Sequence, residues 1–403
     1  MIELLSPAGT FEKLKAAVQY GADAVYLAGK MFGMRAMAGC FDIDELKAAA
    51  DYCHARGKKV YLTLNTMPHP DEYPLLRKYL NDIKDIDLDA YIIADLGVLA
   101  TVKEISPEKE IHISTQASVV SAAGAKMYAS LGAKRIVLSR ELSFDEIKQI
   151  RAELDPDIEL EAFIHGAMCI SYSGRCLISN HFTKRDANRG ACAQPCRWIY
   201  NISEEKRPEM PLTIEQHENG TFLFGSKDLC MIEHIPELVN SGITSFKIEG
   251  RMKSVYYTAI TANCYRMAID SYLNDPEGYK FDPALLDELN SVSHREYDTG
   301  FFFDDPMQDA KVTKDVGYLK SKAYLADCIG YDKDTGIATF IQKNKLSVGE
   351  KVEVISPGKT GKAFDVSAMF DEKDNEIESC PHPYMIFKMP VPFEIAAGDI
   401  IRA

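Results

Sequence analysis

IELLSPAGTFEKLKAAVQYGADAVYLA, residues 2–28, is the stretch on which the fold turns. Its two ends, IELL (2–5) and DAVYLA (23–28), are short apolar runs of strand type. Between them FEKLKAAVQYG (11–21) spaces its apolar residues as a helix does. The same alternation repeats outward through KVYLTL (59–64), AYIIA (90–94), IHIS (111–114), RIVL (135–138), ELEAFI (159–164) and ITSFKI (243–248). Helical patterns such as DIDELKAAADYCHARG (42–57) and SFDEIKQIRAEL (143–154) lie between these runs. Eight strand–helix units in about 250 residues point to a closed (β/α)8 barrel of the TIM type, with an open doubly wound sheet as the alternative. No GxGxxG follows an early strand, and Ser6-Pro7-Ala8-Gly9 reads as a tight turn after the first one.

The barrel reading gives position a meaning, because side chains just past each strand converge on the catalytic face. Arg35, Asn65, His69, Asp95, Thr115, Gln116, Arg140 and Glu141 follow strands two to six. His165 ends strand seven, and strand eight runs into Lys247, Glu249, Arg251 and Lys253. The segment between strands seven and eight, residues 165–242, is too long for an ordinary loop and must carry organisation of its own. Two β-like stretches within it, 199–202 and 221–225, suggest a hairpin. From about residue 316 the pattern changes to short strand-like runs with turns at Asp334-Thr335-Gly336 and Pro357-Gly358. This divides the chain into a barrel over 1–315, bearing the 165–242 insertion, and a small β-barrel over 316–403.

The chain of 403 residues carries a formal charge of −14, which argues against wrapping a nucleic acid over the whole surface but leaves room for a local basic site. The terminal region holds eleven basic and thirteen acidic residues, so acidity belongs mainly to the barrel. No signal-peptide pattern opens the sequence and no apolar run approaches membrane-spanning length, so a cytoplasmic protein without membrane contact is expected.

Four of the ten cysteines, Cys169, Cys176, Cys192 and Cys196, fall within 28 residues. In a reducing compartment disulfides explain such a cluster poorly, whereas metal ligation gives thiolates a reason to converge. Four thiolates suit a 4Fe-4S cluster; a zinc site normally uses Cys-x2-4-Cys knuckles, which only the last pair resembles, and inert or redox-active cysteines are the remaining alternative. The other six cysteines, Cys230 included, read as ordinary core or surface thiols. Residues 165–200 also hold Arg175, Lys184, Arg185, Arg189 and Arg197 against Asp186 alone, a local charge of +4 in an acidic chain. Part of it would balance an anionic cluster and part would meet phosphate or carboxylate. His181 with Trp198 or Tyr200 is a candidate base-stacking platform, against the commoner reading of aromatics that cover a core or a cluster.

HGAMCISYSGRC (165–176), NRGACAQPCRW (188–198) and SFKIEGRMKS (245–254), with LSPAG (5–9), GADAVYLAG (21–29) and STQAS (114–118), resemble the collagenase-like peptidase family U32. The resemblance covers the barrel, and the terminal domain looks like that of the family's longer members. It implies a barrel with an oxygen-sensitive 4Fe-4S cluster held by Cys169, Cys176, Cys192 and Cys196, with His165, Glu249 and Arg251 around the site. Characterised members of the family are RNA or quinone hydroxylation factors, and some were reported as proteases. The branch it most resembles forms 5-hydroxyuridine at the wobble position of tRNA and draws on prephenate.

The resemblance thus implies cluster-assisted hydroxylation of uridine C5, with the base extruded toward the barrel mouth. Arg251 or Arg189 would pair with a prephenate carboxylate, and His165 or Glu249 would move the C5 proton. Arg35, Asn65, Gln116, Arg189 and Lys247 are the candidate substrate-binding residues. Expected partners are the tRNA anticodon region, a small carboxylate co-substrate, and a reductant or iron–sulfur assembly protein. Two other readings stay open. A peptidase would use Cys169 with His165, although neither HExxH nor GxSxG occurs. A non-enzymatic tRNA-binding or assembly module would rest on the terminal β-domain.

Overall fold

A computed structural model describes residues 2–34, 39–198, 216–217, 220–221, 226–304 and 318–403. They fall into two compact units, one of residues 1–18, 22–253 and 294–318, the other of residues 19–21, 254–293 and 319–403.

In the first unit, β1 (Glu3–Pro7), α1 (Phe11–Gln19), β2 (Ala24–Ala28), α2 (Ile43–His54), β3 (Lys59–Leu64) and α3 (Tyr73–Ile83) open the alternation. It continues through β4 (Ala90–Ile93), α4 (Leu96–Ile105), β5 (Glu110–Ile113), α5 (Ala122–Ser130), β6 (Arg135–Val137), α6 (Phe144–Glu153) and β7 (Glu159–Ala167). The insertion carries α7 (Ile178–Thr183), the two-residue strands β8 (Gln216–His217) and β9 (Gly220–Thr221), β10 (Asp228–Cys230) and α8 (Ile235–Asn240). The eighth barrel strand is β11 (Ser245–Ile248); in the chain, α9 (Val255–Asn274), α10 (Pro283–Asn290) and β12 (Tyr297–Asp298) follow. Neighbouring strands from β1 to β7 are parallel, and β11 pairs in parallel with both β1 and β7, which closes the barrel. Among the described residues no helix is long and apolar enough to cross a membrane.

Local chemistry accounts for the helix starts. Asp42 and Glu45 form a capping box on α2, and Ser143 and Glu146 form one on α6. Asp95, a candidate from its place after β4, is the N-cap of α4: its carboxylate accepts from the Val98 amide at 3.0 Å and from the Tyr73 hydroxyl at 3.1 Å. Ser6 and Pro7, expected in a turn, belong to β1 and pair with Val25 and Tyr26. Proline is tolerated there because the pairing of β1 with β11 has already ended at Leu5, so no ladder donor is lost on that side.

Inward positions of the strands carry both apolar and charged groups. Leu5, Ala24, Tyr26, Tyr61, Ala90 and Ile92 form one buried cluster. Beside it Arg135, 3% exposed, donates to Glu159 at 2.7 Å, Glu161 at 3.1 Å and Ser245 at 3.2 Å, and pairs with Glu3. Glu161, fully buried, also accepts from Lys247 Nζ at 2.6 Å. Arg135 and Lys247 thus oppose Glu3 and Glu161, which is how charge is kept inside the barrel. The Lys247 and Arg135 cations overcome the penalty of burial on Glu161 and hold its carboxyl down at about 2.

Strand seven departs from the sequence reading. It runs three residues past Ile164 because β10, more than 60 residues further along the chain, pairs antiparallel with its end, Cys230 opposite His165 and Asp228 opposite Ala167. The register against β11 also shifts: Lys247 opposes Phe163, and Ile248 opposes His165. The extra residue turns His165 out of the barrel interior.

The second unit contains α9 and α10, then β13 (Tyr324–Asp332), β14 (Ile337–Gln342), β15 (Leu346–Ser347), β16 (Lys351–Ile355), β17 (Lys362–Asp365), β18 (Ser379–Cys380), β19 (Ile386–Pro390) and β20 (Ile400–Arg402). Six of these strands form an antiparallel sheet in the order β17-β16-β20-β13-β14-β19, and β15 pairs with β18. The turns expected at Asp334-Thr335-Gly336 and Pro357-Gly358 join β13 to β14 and β16 to β17. Phe340 and Phe387, stacked at 5.4 Å, centre its core. Arg402, 3% exposed, ties β20 to Glu288 of α10 at 2.8 Å and to Glu353 of β16 at 2.8 Å.

Candidate functional site

A cavity of about 160 Å³ lies at the C-terminal ends of the barrel strands, where (β/α)8 proteins place their chemistry. By this measure it admits roughly ten waters. Its floor is made of inward strand residues: Tyr26, Thr63, Ile92, Phe163 and Lys247. The Lys247 ammonium lies 4.6 Å from the Tyr26 ring centre and 5.4 Å from that of Phe163.

The wall comes from the residues just past the strands. Asn65 accepts from the Met34 amide at 3.0 Å and reaches Ser114 at 3.4 Å. Thr115 donates to the Leu138 carbonyl at 3.1 Å, and Gln116 follows on the same turn. Glu249 and Arg251 leave β11 together. The Tyr26 hydroxyl lies 3.2 Å from Glu249 Oε2, the Glu249 amide donates to the His165 carbonyl at 2.8 Å, and Arg251, 3% exposed, contacts Thr63 at 3.4 Å and donates to the Met34 carbonyl.

The cysteine segment forms the opposite wall, and Cys169, Cys176, Cys192 and Cys196 all line the same cavity. Arg140 clamps the segment to the barrel through the Ala167 carbonyl at 3.0 Å and Ser173 Oγ at 2.9 Å. Ser118 adds a bond to the Ser173 carbonyl at 2.6 Å. Two glycines are needed where backbones meet. A Cβ on Gly166, at φ +107°, would lie 2.3 Å from the Glu249 carbonyl oxygen, and one on Gly174, at φ +78°, 2.4 Å from that of Gln116. Asn188 clasps Cys176 by accepting from its amide at 3.2 Å and donating to its carbonyl at 2.9 Å. The Gln194 amide points at Cys192 Sγ across 3.4 Å. Burial, together with the other three cysteines, pushes the Cys196 thiol up to about 11, so it keeps its proton at neutral pH until a cation displaces it.

Four thiols on one cavity wall, with an N–H aimed at one sulfur, are a donor set suited to a thiolate-ligated group. Among the described residues, no three His, Cys, Asp or Glu side chains are grouped so as to hold one metal ion.

Of the residues singled out from sequence, the cavity brings together the four cysteines, Lys247, Glu249, Arg251, Asn65, Thr115, Gln116, Arg140 and Arg197. Arg35 and the 199–202 stretch lie outside the described residues, as does most of 221–225. Arg189 is not on the cavity; it pairs with Glu72 at 2.5 Å. His165 is not on it either. Turned away by the register shift, His165 is 1% exposed and its ring lies 5.4 Å from that of Tyr297. Burial holds it down at about 3, so it is neutral at physiological pH. Near it, Arg295 pairs with Asp228 at 2.7 Å, and burial brings Lys253 down to about 8. Sequence reasoning passed over Tyr26, Ser114, Asn188 and Gln194. For Tyr26 the signal was present, since strand alternation puts it on the same face as Ala24.

The description Peptidase family U32 matches residues 9–311, and that of the U32 C-terminal domain matches residues 320–402. The chain is 36% identical over 400 residues to tRNA hydroxylation protein P1 of Bacillus subtilis (strain 168), covering 99% of this chain and 94% of the relative. It is 37% identical over 277 residues to the 23S rRNA 5-hydroxycytidine synthase of Escherichia coli (strain K12), covering 68% of this chain and 40% of the relative. A Collagenase of Porphyromonas gingivalis (strain ATCC BAA-308 / W83) is 30% identical over 366 residues, covering 88% of this chain and 86% of the relative. By its barrel, its terminal domain and the length of these matches, the chain belongs to peptidase family U32.

Proposed function

We propose that this protein is an enzyme of tRNA modification that hydroxylates a pyrimidine base, in finer terms C5 of the wobble uridine. The observation that carries this reading is the convergence of four cysteines with Lys247, Glu249 and Arg251 on one cavity at the ends of the barrel strands. Relatives named for tRNA hydroxylation and for 5-hydroxycytidine synthesis support the class of reaction. Cys169, Cys176, Cys192 and Cys196 would hold a 4Fe-4S cluster, which supplies electron transfer when bound.

The chain's own groups divide the remaining work. Lys247 and Arg251 offer two cations to the carboxylates of a co-substrate, for which prephenate is the candidate. Glu249, with the Tyr26 hydroxyl beside it, would take the C5 proton; His165 would not, because it does not line the cavity and burial makes its ring a weak base. The same placement speaks against a peptidase built on a Cys169–His165 pair. A base must leave its stack to enter so small a space, which favours a single-stranded loop as the substrate.

The test is anaerobic purification with iron and sulfide analysis, beside mass spectrometry of tRNA nucleosides from a deletion strain. Four irons per chain, and loss of hydroxylated uridine restored by the wild-type gene but not by Cys169→Ala, are expected. A cluster-free protein that cleaves peptides and leaves tRNA unchanged would overturn the reading.

A further inference from the structure

The cysteine segment presents several aromatic and basic side chains to solvent. Within it Tyr172 is 48%, Phe182 53% and Trp198 43% exposed. Arg175, Lys184 and Arg185 are exposed between them. Asp186, the one acid of residues 165–198, is engaged locally, accepting from the Asn188 amide at 2.8 Å. Exposed rings and cations are therefore interspersed along a segment of positive charge in a chain of net charge −14.

The same segment reaches the cavity. Tyr172 lines the mouth directly, and Trp198 follows Cys196 and Arg197, which also line it. Arg197 donates to Gln194 Oε1 and to the Tyr318 hydroxyl, both at 2.9 Å, which fixes the backbone from which Trp198 projects.

We propose that Tyr172, Phe182 and Trp198, with Arg175, Lys184 and Arg185, form the docking surface for a single-stranded RNA loop. This rests on the function proposed above. On that reading one base is withdrawn into the cavity, so its neighbours in the strand lose their stacking partner. Exposed aromatic faces beside the mouth replace that stacking, and the cations meet the phosphates between the bases. Charge complementarity selects a polyanion, and the exposed rings select one with unpaired bases. Duplex RNA, whose bases are covered, gains only the ionic part.

Trp198 is the chain's only tryptophan, so its fluorescence reports on the surface directly. Anaerobically purified full-length protein would be titrated with an anticodon stem-loop, a duplex RNA of equal length and phosphatidylglycerol vesicles. The stem-loop quenches Trp198 and the duplex does not. Trp198→Ala weakens stem-loop affinity about 5- to 150-fold. Lys184→Gln lowers the slope of log affinity against log salt by about 0.7–0.9, whereas Lys84→Gln at the end of α3 leaves it unchanged.

Stem-loop binding seen by anisotropy without quenching, and unaffected by Trp198→Ala and Lys184→Gln, overturns the surface. If those variants also restore hydroxylated tRNA in the deletion strain, the function stands without it. Vesicle binding in place of RNA binding overturns the surface in favour of a membrane contact. A wild-type protein that neither binds RNA nor restores the nucleoside overturns both.

Discussion

Replacing Glu161 by Gln tests whether the charges inside the barrel hold the site floor. The carboxylate is fully buried, 2.6 Å from Lys247 Nζ and 3.1 Å from Arg135. Glutamine keeps the shape but removes one of the two buried anions that balance these cations. A carboxyl moved from 4.5 to about 2 on folding contributes about 3 kcal/mol at neutral pH, near the low end of the cost of breaking a buried pair. The expected fall in melting temperature is roughly 6–10 °C.

The pH dependence follows from the direction of the shift. A depressed carboxyl stabilises the fold fully above its unfolded value and loses that contribution as pH falls through its folded one. The gap between wild type and Glu161→Gln, measured by urea unfolding, is therefore constant from about pH 7 to pH 5 and narrows below 4.5 toward about 2. Lys247 loses its anchor in the same variant, so activity falls along with stability. A gap below about 1 kcal/mol, or one that does not narrow in acid, would refute the claim that Glu161 is a charged keystone.

Three further substitutions address separate parts of the molecule. Gly174→Ala sets a Cβ against the Gln116 carbonyl at positive φ, so it shifts the cysteine wall, with iron per chain and melting temperature both falling; unchanged iron content contradicts the close approach. Arg251→Lys keeps the charge but cannot span Thr63 and the Met34 carbonyl together, so tRNA hydroxylation drops roughly 10- to 100-fold while the melting temperature moves little; a lysine variant with full activity removes Arg251 from the site. In the terminal unit, Arg402→Met leaves Glu288 and Glu353 without their shared cation and costs about 3–5 kcal/mol, read as earlier denaturant unfolding of that unit; no change there shows the pairs to be incidental.

The sequence alone determined the eight-strand alternation, because each strand is a contiguous apolar run and each helix carries its own period. It also determined the four cysteines as a set, and the strand-end positions of Asn65, Gln116, Lys247, Glu249 and Arg251, since barrel closure sends all strand ends to one face. What it left undecided depends on partners distant in the chain. Only the pairing of β10 with β7 extends that strand, and only the register shift against β11 separates His165 from Glu249, although both stand in equally suggestive motifs. Glu72, far from the basic segment in sequence, engages Arg189 beside it rather than leaving it to the cavity. Side-chain direction is fixed by hydrogen bonds made across the fold, so strand count was legible from local pattern while the facing of His165 and Trp198 was settled only in three dimensions.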